Sequence, residues 1–164
     1  MLQTIEISTE GKDERALPGY RNADIILFEE GLVGFPQCKR FVLMENESLA
    51  PFRVLQCIDQ PNVGFLVLDP RQIVKNYNRS IPSEAWRSID VTDAEDRLSL
   101  AISIIGSIPE ESSANLQAPL LINYKKMKGR QLILTGSRYS VTQPLLSRRT
   151  KASARTRTAG SSVH

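Results

Sequence analysis

Apolar and polar positions between residues 24 and 146 fall into short runs broken by Gly, Pro, Asn and Asp, the pattern of many strands and little helix. Asp24-Ile-Ile-Leu-Phe28 leads into Glu29-Glu-Gly-Leu-Val-Gly-Phe35, a turn-rich stretch with two glycines, and Arg40-Phe-Val-Leu-Met44 comes next. Phe52-Arg-Val-Leu-Gln-Cys-Ile58 and Gly64-Phe-Leu-Val-Leu68 flank Asp59-Gln-Pro-Asn62, residues that favour a turn, so 52–58 and 64–68 read as a hairpin. Leu98-Ser-Leu-Ala-Ile-Ser-Ile-Ile105 is a strongly apolar strand. Its Leu98, Leu100, Ile102 and Ile104 share one face, while Ser99, Ala101 and Ser103 keep the other small, as a curved barrel wall requires.

Two helical scraps interrupt this pattern. Pro82-Ser83 before Glu84-Ala-Trp86 resembles a capped single turn that docks Trp86 into the core, and Thr92-Asp-Ala-Glu95 has the spacing of a capping box. A final hairpin joins Asn115-Leu-Gln-Ala-Pro-Leu-Leu-Ile-Asn123 to Gly129-Arg-Gln-Leu-Ile-Leu134 through a basic turn. Pro119 can open its first strand, and Gly129 is expected to turn the chain with a positive φ. Leu120, Ile122, Leu132 and Ile133 are expected to close the core. The prediction is an all-β fold, a compact, partly open β-barrel with one or two short helices. It divides the chain into a polar segment over 1–23, with Thr4-Ile-Glu-Ile-Ser8 alternating like a strand, a barrel domain over 24–146, and a disordered basic tail over 147–164.

Composition narrows the function. A chain of 164 residues with 41% hydrophobic content fits one domain with a real core. No apolar run approaches the ~20 residues a membrane helix needs, and the N-terminal stretch lacks the apolar centre of a secretory signal, so a cytoplasmic protein is expected. Cys38 and Cys57 lack metal-ligand spacing and read as small buried hydrophobes. The only histidine is His164, which removes Ser-His-Asp and Cys-His catalysis from the body of the chain. The net charge of +3 hides a division: 147–164 holds Arg148, Arg149, Lys151, Arg155 and Arg157 without an acid, leaving 16 basic against 18 acidic residues elsewhere.

Candidate chemistry is sparse. Gly31-Leu-Val-Gly34 has neither the lysine nor the long helix of a phosphate loop. The pairs Glu29 and Glu30, Asp93 with Glu95 and Asp96, and Glu110 and Glu111 read as solvated acids able to steer a basic partner. Phe28, Phe35, Phe41, Phe52, Phe65 and Trp86 sit at apolar positions and suit core packing, although a turn can present Phe35 to a partner. The basic tail either contacts phosphates without sequence choice or solubilises the chain. A small β-barrel enzyme or cofactor binder remains the competing class, but no cofactor motif is present and none is expected to be needed.

The order of motifs resembles the FliW flagellar assembly factors. Ile25-Ile-Leu-Phe-Glu-Glu-Gly-Leu-Val-Gly-Phe35 is similar to that family's strand and GLPGF turn. Pro51-Phe-Arg-Val-Leu-Gln-Cys-Ile-Asp59 and Val63-Gly-Phe-Leu-Val-Leu-Asp-Pro70 resemble its central hairpin, and the 115–134 hairpin its NLxAPxxIN and GxQxIL signatures. Glu29 and Val33 stand where relatives often carry proline, and Cys57 where serine is usual. The resemblance implies a cytoplasmic, non-catalytic β-barrel protein that binds the translational regulator CsrA and keeps it from repressing flagellin translation. Flagellin, the second implied partner, competes and releases CsrA. Polar and turn positions within the motifs are the expected partner contacts: Gln56, Asn115, Asn123 and Gln131, with Gly31, Gly34 and Phe35 as a second patch.

Overall fold

A computed structural model describes residues 20–146, so the alternating segment near Thr4 and the basic tail lie outside the described residues. The strands are β1 (Ile25–Phe28), β2 (Arg40–Met44), β3 (Arg53–Cys57), β4 (Gly64–Leu68), β5 (Arg97–Ile104), β6 (Ser113–Ala114), β7 (Leu120–Asn123), β8 (Lys128–Gln131) and β9 (Gln143–Pro144). Among the described residues helix is confined to α1 (Ser83–Arg87) and scattered 3-10 turns. The expected all-β barrel with short helices is therefore the fold.

Its ring is complete rather than partly open. β1 to β4 form an antiparallel meander, β4 pairs with β5, β5 with β7, β7 with β8, and β8 returns to β1. The seam between β1 and β8 is parallel and short, pairing Leu27 with Lys128 and Phe28 with Gly129. β6 and β9 extend from the end of β5 as a small flap. The predicted hairpin is present in register, with Leu55 opposite Phe65 and Gln56 opposite Gly64.

Strand alternation fills the interior. Ile26 and Phe28, Phe41, Leu55 and Cys57, Phe65 and Val67, Leu98, Leu100 and Ile102, and Leu120 and Ile122 point inward and pack as one cluster. Phe28 meets Phe41 edge to face at 5.2 Å between ring centroids. A second core lies on the outer side of the wall. There Tyr77, Ile81, Trp86, Ile89 and Val91 pack against Ala101, Leu116, Leu121 and Leu134. Ser99, Ala101 and Ser103 are buried on this side, so the small face of β5 is a floor for the covering segment and not a solvent face.

Several local details depart from expectation. Thr92 does not cap: the 3-10 turn Ala94–Asp96 begins after Asp93 and has no side-chain cap. α1 forms and buries Trp86 as predicted, but Pro82 precedes it with no side-chain capping bond. In the 124–127 turn the positive φ falls on Met127, at 52°, and not on Gly129. Gly129 is needed for another reason. The Phe28 ring lies against its backbone, in the space a Cβ would take. Ile133, expected in the core, is 53% exposed.

Candidate protein-binding site

The stretch after β1 leaves the barrel and must return to β2 at the same end. Gly31 permits the first bend with φ +67°, and a Cβ there would lie 2.6 Å from the Phe35 carbonyl oxygen. Leu32 and Phe35 then bond reciprocally: Phe35 N donates to Leu32 O at 2.7 Å and Leu32 N to Phe35 O at 3.2 Å. Gly34 has φ +84° and comes directly after Val33, the place a type II turn reserves for glycine. Leu32 is buried in the barrel, and Phe35 is half-buried with its ring edge-on to Phe65 at 5.2 Å. Between these anchors Val33 projects, 56% exposed; Glu29 and Glu30, exposed earlier in the same stretch, line a hollow with Lys128 and Arg130.

The turn is tied to the opposite wall. Val33 N donates to Gln131 Oε1 at 2.8 Å, and Gln131 Nε2 donates to Ala118 O at 3.3 Å. Ala118 and Gln117 in turn donate their N–H groups to Asn115 Oδ1, at 3.0 and 3.1 Å. Thus Gln131 and Asn115 lie on one relay of hydrogen bonds that ends at Val33, in the turn that Gly31, Gly34 and Phe35 shape. Val33 stands where the resemblance expects proline, which has no N–H to donate to Gln131.

The other two expected residues sit differently. Gln56 is fully buried near the same end, its Nε2 donating to the carbonyls of Cys57, Pro61 and Val63 at 2.9, 2.8 and 3.1 Å. Asn123 lies at the opposite end of β7, 1% exposed. It donates to Ile89 O at 2.8 Å and accepts from Lys125 N and Lys126 N at 3.0 and 3.1 Å. Both tie turns to the wall beneath the surface. The exposed apolar residues Val33, in a turn, and Ile133, after β8, escape a reading of the sequence because an apolar residue reads as core whichever way it points.

Charge fixes the neighbouring loops. Asp59 accepts from Lys39 N, Arg40 N and Arg40 Nε at 3.0, 2.9 and 2.8 Å. Burial pushes the Asp59 carboxyl up, but these donors outweigh it and hold its pKa below the usual carboxylate value. Lys128 Nζ donates to Asp90 at 2.7 Å, and this bond keeps the Asp90 carboxyl low and the Lys128 ammonium high. Burial, with Cys57 beside it, pushes the Cys38 thiol up to about 12, the state of a structural thiol rather than a nucleophile. Among the described residues no group of three or more His, Cys, Asp or Glu gathers to hold a metal, and no helix is long and apolar enough to cross a membrane. The arrangement presents an exposed apolar tip tied to the opposite wall, with a hollow of mixed charge lined by Glu29, Glu30, Lys128 and Arg130 at Gln131, which suits binding.

The family model described as FliW protein matches residues 14–145. The chain belongs to the FliW family. A flagellar assembly factor FliW of Thermoanaerobacter pseudethanolicus is 37% identical over 128 residues, covering 77% of this chain and 85% of the relative. One from Geobacter sulfurreducens is 32% identical over 132 residues, covering 80% and 82%. A solved structure, titled a crystal structure of the flagellar assembly factor FliW, superposes with a TM-score of 0.73 at 30% identity, covering 80% of this chain and 92% of its own. The closed barrel is thus the FliW fold, and these FliW relatives are all named as flagellar assembly factors.

Proposed function

We propose that this chain is a cytoplasmic flagellar assembly factor that works without catalysis, by exchanging two protein partners. Free protein binds CsrA and keeps it from repressing flagellin translation; accumulating flagellin competes, releases CsrA and lowers its own synthesis. The observation that carries this reading is the FliW family match over residues 14–145. The turn supports it: an exposed Val33, with Glu29 and Glu30 earlier in the same stretch, offers an apolar contact and negative charge. A regulator that binds RNA must present basic groups to phosphates, and such a surface is attracted to carboxylates. The contacting residues on this reading are Val33, Gly34 and Phe35, with Gln131 and Asn115 holding the turn in place.

Size-exclusion chromatography of the full chain with CsrA, and separately with flagellin, tests the reading. Co-elution at micromolar concentration is expected for both, with flagellin displacing CsrA. Val33→Asp is expected to weaken at least one complex about 10-fold or more, as central apolar contacts do, with the thermal midpoint nearly unchanged because the site is solvent-exposed. Failure to co-elute with either protein overturns the proposal.

A further inference from the structure

Away from the turn, two hollows adjoin at Pro51, Phe52 and Gln72, which line both. The larger, of about 530 Å³, is apolar, with Phe52, Leu68, Ile73, Ile105 and Leu145 in its walls. The smaller, of about 360 Å³, reaches Glu45, Glu47, Arg53 and Asp69. Ile105 is 45% exposed and Ile108, a little further on, 51% exposed, so apolar surface continues beyond the larger hollow. No residue of the 31–35 turn lines either one.

The charges along this groove do not balance. Its arginines are already committed: Arg71 Nη2 lies 2.7 Å from Asp69 Oδ2, and Arg53 Nη1 lies 3.8 Å from Glu45 Oε1. Glu47, Glu110 and Glu111 are exposed and make no ion pair among the described residues. Glu47 lines the smaller hollow. Glu111 is fixed beside the larger one, because its Cβ occupies the space next to Gly106, only 2.3 Å from where a Cβ on that glycine would stand. Gly106 and Ser112, which both line the larger hollow, hold this bend through a bond of 3.1 Å from Gly106 N to Ser112 Oγ. Uncompensated carboxylates thus stand on the smaller hollow and beside the larger, with apolar wall between them. Like-charge repulsion disfavours an anionic occupant, whether an acidic segment, a nucleic acid or an anionic lipid surface. Few polar groups converge on the apolar walls to orient a small polar ligand. We propose that this groove is a second docking site, taking an apolar segment of a protein partner whose flanking lysine or arginine residues pair with Glu47, Glu110 and Glu111. The site is separate from the Val33 turn and does not depend on the exchange of CsrA and flagellin.

Three synthetic peptides test this on the full chain by fluorescence anisotropy. All share one centre of Leu and Phe, and their flanks are Lys, Gln or Glu. The Lys-flanked peptide is expected to bind about 10-fold tighter than the Glu-flanked one at low salt, with the Gln-flanked peptide between them and the gap shrinking as salt screens it. Changing Glu47, Glu110 and Glu111 together to Gln should bring the Lys-flanked peptide down to the affinity of the Gln-flanked one. Ile105→Asp should weaken the Lys-flanked peptide about 10-fold or more, although it adds a negative charge that would strengthen a purely electrostatic contact. Ile133→Asp, at an exposed apolar residue outside the groove, should leave binding unchanged; unaltered circular dichroism establishes that the variants fold. Equal binding of the three peptides, no binding of any, a preference for Glu flanks, or indifference to either groove variant overturns the proposal. Tighter binding of the Gln-flanked peptide once Arg148, Arg149, Lys151, Arg155 and Arg157 are changed to Gln overturns it by making the chain's own basic residues the occupant. A concentration-dependent dimer abolished by Ile105→Asp overturns it in favour of a second copy.

Discussion

The inside of the barrel and the smaller core on its outer wall are both built of buried apolar side chains but are held by different means. Inside, most contributors sit on strands whose neighbours fix them by ladder hydrogen bonds, with Leu32, Cys38 and Val63 added from turns, so alternation aims Phe28, Phe41, Leu55, Phe65 and Leu100 at one another. Outside, Tyr77, Ile81, Trp86 and Ile89 come from a segment of 3-10 turns and one turn of α-helix. That segment is fastened by single bonds: Tyr77 OH to Leu116 O, Asn123 Nδ2 to Ile89 O at 2.8 Å, and Ser99 Oγ to Asn78 Oδ1. A sheet distributes its restraint, whereas the covering layer concentrates it in a few side chains. Damage should therefore be global in one core and local in the other.

The largest test compares Trp86→Ala with Leu100→Ala. Each opens a cavity, at a cost of about 3–5 kcal/mol for Trp86 and about 2–5 kcal/mol for Leu100. Hydrogen exchange should separate them: Trp86→Ala should speed exchange chiefly over residues 73–91, while Leu100→Ala should lower protection around the whole ring. Uniform loss in both variants would remove the distinction. Trp86→Ala breaks no hydrogen bond of its Nε1 among the described residues, but it also removes the cation–π contact of the Arg97 guanidinium, 5.5 Å from the ring centroid.

Asn123→Ala should come next, at about 1–3 kcal/mol, because it leaves Ile89 O and two turn N–H groups without their partner. Its effect should fall on both the 124–127 turn and the covering segment, readable by exchange at Lys125 and Lys126. Gly129→Ala should cost a similar ~1–3 kcal/mol by driving a methyl into the Phe28 ring. In a Phe28→Ala background the same substitution should cost far less; an equal cost in both backgrounds would mean that the ring is not the obstacle.

The smallest effect is pH-dependent and lies at the turn end. The Asp59 pKa is lowered in the folded protein, so its contribution is present above the ordinary carboxylate pKa and is lost as pH falls through the lower folded value. Asp59→Asn should reduce the thermal midpoint at pH 7, and the gap from the parent should narrow as pH drops below about 4. A gap that persists at pH 2 would assign the loss to packing.

These contrasts also explain what is legible in the sequence. The β3–β4 hairpin can be read because Asp59-Gln-Pro-Asn62 is unambiguous turn chemistry between two alternating runs. The outer core is almost invisible: only Trp86 announces itself, because Tyr77, Ile81 and Ile89 fit no strand or helix period. At the site, the glycines and Phe35 are legible from turn chemistry, and Gln131 and Asn115 from their place in the resemblance. Gln56 and Asn123 look like surface contacts because a polar residue within or at the end of an apolar run is written the same way whether it faces a partner or ties down its own turn. Val33 and Ile133 reverse that ambiguity, being apolar residues that the fold turns outward.

The parallel seam of β1 and β8 has a consequence in time. β1 is the first strand of the ring to be synthesised and β8 the last, and Phe28 must wait for Gly129 before its ring has a backbone to lie against. Until then a growing chain carries an apolar strand with one unpaired edge, and the ring closes only through contacts spanning most of its sequence. Closure of the ring therefore waits on the joining of its first and last strands.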